Sequence, residues 1–334
     1  MWCYNILKSK NLEVFKMLSC EKIWFPFIIF ETSYYIKLRA DTKPVHQIYS
    51  LFRGVFGKKL KQISCALKTQ KSCLDCKLNL SCPYGYLFET VTPPHADKLK
   101  KYPYLPHPFS FYIPYPLPQE GEIKVGVLLV GKGIYFFPHV VLALKMVSEN
   151  FYPKRFESFE FVKIFNPLTE ETLIDSEKIQ IPDPVPCDFK PPETLKKIKI
   201  KTVSPLELKF QGKVVFPESF NFSILIRNLL RRGSTLSYFH CEKEWNLDFK
   251  KVIELSEKVV TSQKDLKLVK VKRRSQRTGQ VYPLYGLMGE VCFEGEILRE
   301  FYPLLLLGSF IQVGKHTSFG FGKYFYYCPT KRRY

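Results

Sequence analysis

The proline-rich stretch Pro182–Pro192, PDPVPCDFKPP, constrains the fold most. Proline fixes φ and removes a backbone donor, so neither a helix nor a central strand runs through such a segment. It is read as a linker between residues 1–190 and 191–334. Before it, Ile23–Ala40 reads as extended, with Ile36 and Leu38 alternating against Lys37 and Arg39. Val45–Ile63 reads as a helix, because Val45, Ile48, Phe52, Val55, Phe56 and Ile63 fall on one side. Pro93–Pro118 reads as irregular, Lys124–Phe136 as a strand pair or one long strand, Pro138–Glu149 as a helix and Phe156–Ile164 as a strand. After the linker come a strand at Lys201–Phe210, helices at Phe222–Arg232 and Asp248–Ser262, strands at Leu266–Arg274 and Leu284–Phe293, and the segment Leu298–Leu307. Strand, helix, strands, helix, strand is the ferredoxin-like order. The second half repeats that order without repeating the sequence.

Lys and Arg number 51 against 31 Asp and Glu, a net charge of +20. A surplus of that size points to a polyanionic partner, nucleic acid first, against the alternative of a generally basic surface. No apolar run approaches the roughly 18 residues that span a bilayer. Lys8, Lys10, Glu13 and Lys16 interrupt what would be the apolar centre of a signal peptide. The expectation is a cytoplasmic protein with no membrane partner. Its ten cysteines are then expected mostly as reduced thiols or metal ligands, not disulfides.

Near the C-terminus the apolar run Leu304–Leu307 leads into Gly314, Lys315, His316, Thr317 and Ser318, then Gly320 and Gly322, and closes in aromatics. Glycines allow positive φ and close backbone approach. With a lysine and two hydroxyls beside them, backbone N–H groups make a cradle for oxyanions. The stretch lacks the Walker spacing, which favours a phosphate-rich polymer over a nucleotide.

The motif VGKHTSFGFGKY resembles the glycine-rich signature of the RAMP superfamily, specifically its CRISPR precursor-RNA processing endoribonucleases, the Cas6 branch. LFRGVFGKKLKQISC at Leu51–Cys65 and CLDCKLNLSCPYGYLFET at Cys73–Thr90 resemble that family's N-terminal half. One departure is His316, where the family usually has glycine. The resemblance implies an α+β fold of two tandem ferredoxin-like (RRM-like) domains. The first, 1–190, would carry a cysteine-rich insertion at 65–82. The second, 191–334, would carry the glycine-rich RNA-binding loop at 314–322. It implies an endoribonuclease that binds CRISPR repeat RNA and cuts precursor crRNA without a catalytic cofactor, leaving 5′-hydroxyl and 2′,3′-cyclic phosphate ends. The rival is a non-cleaving RAMP subunit that holds crRNA in a CRISPR effector complex.

Metal-free RNA cleavage needs a base for the 2′-hydroxyl, an acid for the departing 5′-oxygen and cations for the phosphorane. In the family the catalytic histidine lies on or beside the first helix, which gives that role to His46, with Tyr35 (or Tyr34) and Arg53 assisting. The alternative is that His46 only caps a solvated helix face. His316 is the competing histidine. RNA contacts are expected from Lys58 and Lys59, from Arg227 and Arg231, and from the basic strip Lys272, Arg273, Arg274 and Arg277. Gly314, Lys315, Ser318, Gly320 and Gly322 of the loop are expected to join them. On a strand, the alternation through Lys267, Lys270 and Lys272 would set one basic face opposite one buried face. Cys65, Cys73, Cys76 and Cys82 form a four-thiol loop in which Cys73-x-x-Cys76 is ordinary zinc spacing. Structural zinc is the first reading there, an iron–sulfur cluster the second, and four independent thiols the third.

Overall fold

The computed structural model describes residues 18–40, 48–67, 72–94, 96–99, 102–114, 117–149, 151, 154–174, 178–187, 191–274 and 279–327. The first half carries β1 (Phe27–Leu38), α1 (Ile48–Ser64), β2 (Phe109–Tyr112), β3 (Glu120–Val130), α2 (Phe137–Val147) and β4 (Phe156–Phe165). Its antiparallel sheet has the order β2-β3-β1-β4. The second half carries β5 (Lys197–Thr202), the two-residue strands β6 (Lys209–Phe210) and β7 (Lys213–Val214), and α3 (Phe222–Cys241). It continues through α4 (Phe249–Ser256), β8 (Val260–Arg274), β9 (Val281–Glu294), α5 (Tyr302–Ile311) and β10 (Tyr324–Tyr327). Its sheet order is β10-β5-β9-β8. In both sheets the first and third strands are central and the second and fourth lie at the edges. The chain is two tandem ferredoxin-like domains.

Several elements differ from the sequence expectation for identifiable reasons. Phe109–Tyr112 is a strand inside the proline-rich stretch. It lies at the sheet edge, and Pro108 and Pro114 flank it without interrupting it. Helix α3 runs nine residues past Arg232, through a Gly-Ser-Thr run that reads as a breaker. Gly233 is there because the Trp245 ring lies over it: a Cβ would meet Trp245 Cη2 at 2.2 Å. Helix α4 ends at Ser256, and the β-branched run Val259–Thr261 turns the chain extended.

The proline-rich linker is not a free tether. Val185 N donates to Phe27 O (2.9 Å), and Trp24 Nε1 donates to Val185 O (2.9 Å). A disulfide joins Cys187 to Cys20, with Cα atoms 6.0 Å apart. That corrects the expectation of mostly thiols or metal ligands without disulfides: the pair is 167 residues apart in sequence, and no local spacing announces it.

The two apolar cores interlock. Phe27, Leu128 and Val130 of the first domain pack into the core of the second. Val271, Leu284, Phe319 and Phe321 of the second pack into the core of the first. The glycine loop is thereby held against α1 by its own aromatics. Among the described residues no helix is long and apolar enough to cross a membrane.

Candidate nucleic-acid interface

The loop's backbone is fixed before its side chains matter. Lys315 N donates to Glu207 O, Gly322 N to Pro205 O and Val313 N to Gly322 O, at 2.9 to 3.0 Å. Leu206 in turn exchanges backbone hydrogen bonds with Leu287 of β9. Gly314, Gly320 and Gly322 have φ of +85°, +96° and +87°, the region that L side chains avoid. The close approach expected of them is to protein. A Cβ would meet Glu207 O at 2.3 Å from Gly314, and Val313 O at 2.2 Å from Gly322. From Gly320 it would meet Tyr49 Cδ1 of α1 at 2.9 Å.

This fixed loop meets α1 at Arg53. Arg53 Nε donates to Ser318 Oγ (3.1 Å) across 265 residues of sequence. Its guanidinium lies 3.9 Å from the Phe88 ring centroid and 4.5 Å from that of Phe319. Arg273 of β8 lies 4.3 Å from the Phe319 centroid, so one ring serves two guanidiniums. Phe88 reaches this place by lying over Gly57 of α1, where a Cβ would meet Phe88 Cζ at 2.2 Å. Burial, then the charge of Arg273, pulls Arg53 down to about 10, and it stays protonated at neutral pH.

Arg53 also donates from Nη2 to His107 Nε2 (3.1 Å). A guanidinium only donates, so Nε2 accepts and the His107 proton sits on Nδ1, directed at Thr90 Oγ1 (2.7 Å). Thr90 passes its own proton to Leu87 O (2.9 Å). Burial and then Arg53 hold His107 well below the usual imidazole range. His107 is therefore a neutral acceptor that fixes Arg53. Its sequence context, Pro106-His107-Pro108, gives no periodic signal, and only the tertiary contact reveals it.

His316 sits at φ +61° in the left-handed region, which glycine adopts most readily and histidine more often than most other residues. Its Nε2 lies 3.3 Å from Glu207 Oε2, a buried carboxylate. His240 of α3 donates from Nε2 to Pro106 O (2.9 Å) and accepts from Tyr86 at Nδ1 (3.1 Å). Burial lowers it to about 4. It ties the second domain to the first and is not exposed to a ligand.

The remaining candidates are spread around this centre. His46 lies outside the described residues; α1 begins two positions later. Tyr35 is exposed on the sheet face away from the buried Tyr34 and Ile36, and its hydroxyl donates to Glu120. Lys58 is exposed, while Lys59 turns to Glu149 (2.6 Å). Arg227 pairs with Glu257 (3.0 Å), and Arg231 is exposed one turn further along α3. Lys272 is exposed on β8; Arg277 and the side chain of Arg274 lie outside the described residues. The strip is not one basic face. Val271 and Arg273 turn to the first domain, whereas Leu266 and Leu268, on the same side as Lys270 and Lys272, pack on the core of the second.

In the cysteine loop, burial above all raises the Cys73 thiol to about 11, with Glu89, Cys76 and Cys82 adding to the rise. Cys82 Sγ donates to Ser64 O, and Cys65, Cys73, Cys76 and Cys82 are all free thiols. Among the described residues no three His, Cys, Asp or Glu side chains are gathered to hold an ion.

The structure is thus a tandem ferredoxin-like pair whose glycine loop closes on the first helix. Residues 31–185 match the AF_1859 N-terminal domain, and residues 200–324 match the CRISPR-associated endoribonuclease Cas6 family. The two matches fall on different halves of the chain, and the Cas6 match lies in the second domain. No curated protein matches the sequence. Among solved structures, Cas6 of Thermus thermophilus is similar at TM-score 0.52 and 14% identity, over 90% of this chain and 97% of that one. The product complex of that Cas6 gives 0.52 and 16%, over 88% and 98%. A chain of a partial Cas6-RT-Cas1–Cas2 complex gives 0.54 and 11%, over 92% of this chain and 47% of that one. At these identities the structures speak for the fold alone.

Proposed function

We propose that the chain is a metal-independent endoribonuclease that binds CRISPR repeat RNA and cuts precursor crRNA, leaving 5′-hydroxyl and 2′,3′-cyclic phosphate ends. The observation that carries this is the meeting of Arg53 with Ser318, which unites the two family motifs at one cation-rich place. The substrate's own 2′-oxygen is the nucleophile, so the protein has to move two protons and stabilise charge. Arg53, held by His107, Ser318 and two aromatic rings, is a fixed cation for the phosphorane. His46 is the first candidate for the base. His316 is the second: with Nε2 on Glu207, its Nδ1 is left for a substrate proton. Tyr35 would assist only if RNA crosses the sheet face where it stands.

Lys58, Arg231, Lys272, Arg273, Arg274, Arg277 and Lys315 supply the phosphate track in this reading. Processing takes place in the cytoplasm, with hand-over to an effector complex. Labelled repeat RNA mixed with the purified chain in EDTA tests it. Cleavage with cyclic-phosphate ends is the expected result; tight binding without cleavage makes the chain a crRNA-holding subunit instead. His46→Ala should slow single-turnover cleavage by about 100-fold or more with little change in affinity. Loss on His316→Ala with normal cutting by His46→Ala would move the base to His316.

A further inference from the structure

Beside the Arg53–Ser318 contact lies a cavity of about 290 Å³ between the Tyr102–His107 segment, the glycine loop and α3. That is near the lower end of small-ligand pockets, about 300 Å³. Its α3 wall is built from Asn228, Arg231, Arg232 and Thr235, which helical spacing places on one face. Arg232 is only 8% exposed. Its Nε donates to Ile311 O at the end of α5 (2.7 Å), while its buried Nη2 has no partner among the described residues. Burial alone lowers Arg232, to about 9, so it remains charged at neutral pH. A buried cation with an unused donor is costly unless an anion reaches it. Lys209 and Lys315 line the same cavity, and burial, Arg231 and Lys209 all lower Lys315. The carboxylate acting on Lys315 is Glu207, which already holds His316.

The opposite wall is aromatic. Tyr102 and Tyr104 line the cavity with 54% and 41% of their surfaces exposed. Their backbone is tied down, not loose: Thr92 N donates to Pro103 O (3.0 Å) and Leu105 N to Thr90 O (2.9 Å). Cations on one wall and rigid exposed rings on the other match the two halves of a nucleotide, its phosphate and its base. We infer that this cavity takes one unpaired nucleotide of the bound RNA, with its phosphate on Arg232, Lys209 and Lys315 and its base against Tyr102 or Tyr104. The inference rests on the RNA-binding reading and adds a base-reading subsite to it.

The test uses the full chain and a repeat RNA made uncleavable by a 2′-deoxy substitution at the cut site, scanned with one abasic position at a time. Wild type should show one position where loss of the base costs about tenfold or more in affinity. In Tyr102→Ala/Tyr104→Ala that penalty should shrink to within about twofold, since the stacking partner is gone. Both tyrosines are exposed, so the variant should fold. Lys209→Ala should make the salt slope shallower by about 0.7, the value for one phosphate of a single strand. If wild type binds the repeat tightly but every abasic penalty is unchanged in the tyrosine variant, the cavity is not a nucleotide site and the RNA reading stands without it. If wild type does not bind the repeat at all, both are overturned.

Discussion

Gly322→Ala probes the clamp that holds the glycine loop to its own sheet. Gly322 has φ +87°, and an added Cβ would lie 2.2 Å from Val313 O and 2.9 Å from Val313 N. Both are backbone atoms, and Val313 N donates to Gly322 O (3.0 Å), so neither side can swing away. The left-handed conformation costs an L residue about 1–2 kcal/mol, and forcing a methyl into filled space costs about 1–3 kcal/mol more. The sum is about 2–5 kcal/mol, less about 0.4–1 kcal/mol for the stiffer unfolded chain. Gly212→Ala is the control: its φ is +81°, but nothing lies within 4 Å of the added Cβ. It should cost only the conformational part. Gly320→Ala should fall between them, because its Cβ meets the Tyr49 ring at 2.9 Å and a ring can shift further than a carbonyl. Urea unfolding of the three variants, extrapolated to water, gives the order. Equal losses for Gly322→Ala and Gly212→Ala would refute the clamp and return the glycines to the role of flexible hinge.

Three further outcomes are expected. His240 is lowered from 6.5 to about 4 and His107 lies well below the usual range. The stabilising effect of His240 is therefore complete above about pH 6.5 and is lost as pH falls toward 4, by about 3 kcal/mol at 1.36 kcal/mol per unit, and that of His107 is lost in the same direction; His240→Gln should flatten the unfolding curve over that window. The Cys20–Cys187 disulfide closes a loop of 167 residues in sequence separation, worth up to about 5 kcal/mol by chain entropy, so dithiothreitol or Cys20→Ser should lower the urea midpoint clearly. Zinc in the cysteine loop requires about one zinc per chain by elemental analysis, together with a lower Tm for Cys73→Ser/Cys76→Ser; metal-free protein of full stability removes the proposal.

The fold was largely legible because its long elements carry strong periodicities and because prolines separate the halves. What escaped had tertiary causes. The edge strand β2 hid among flanking prolines, and α3 runs through Gly233 only because Trp245 packs there. The site was legible in its motifs but not in its connections. Arg53, Ser318, Gly320 and Gly322 stand out as residue types in a pattern. His107 between two prolines and Arg232 inside an apolar helix face do not. Arg232 is betrayed by its Nη2, which has no partner among the described residues, and His107 by the acceptor that Arg53 requires. The basic strip shows the opposite error: alternation suggested one cationic face, but β8 changes which core it serves along its length.

The position of the interface follows from how the two domains share their cores. Phe319 and Phe321 leave the second domain to pack in the first, and Phe27 does the reverse, so the glycine loop cannot move without disturbing both. Charge collects at that seam at an energetic cost. Burial and then Arg273 lower Arg53, and burial, then Arg231 and Lys209, lower Lys315. Three lysines of the second sheet are instead paired: Lys197 with Glu294, and Lys199 and Lys201 with Glu290, on the exposed face of its two central strands. Such surface pairs are worth little each, but they remove those lysines from the supply of free cations. At the seam the cations meet under burial, and a polyanion bound there would relieve their repulsion.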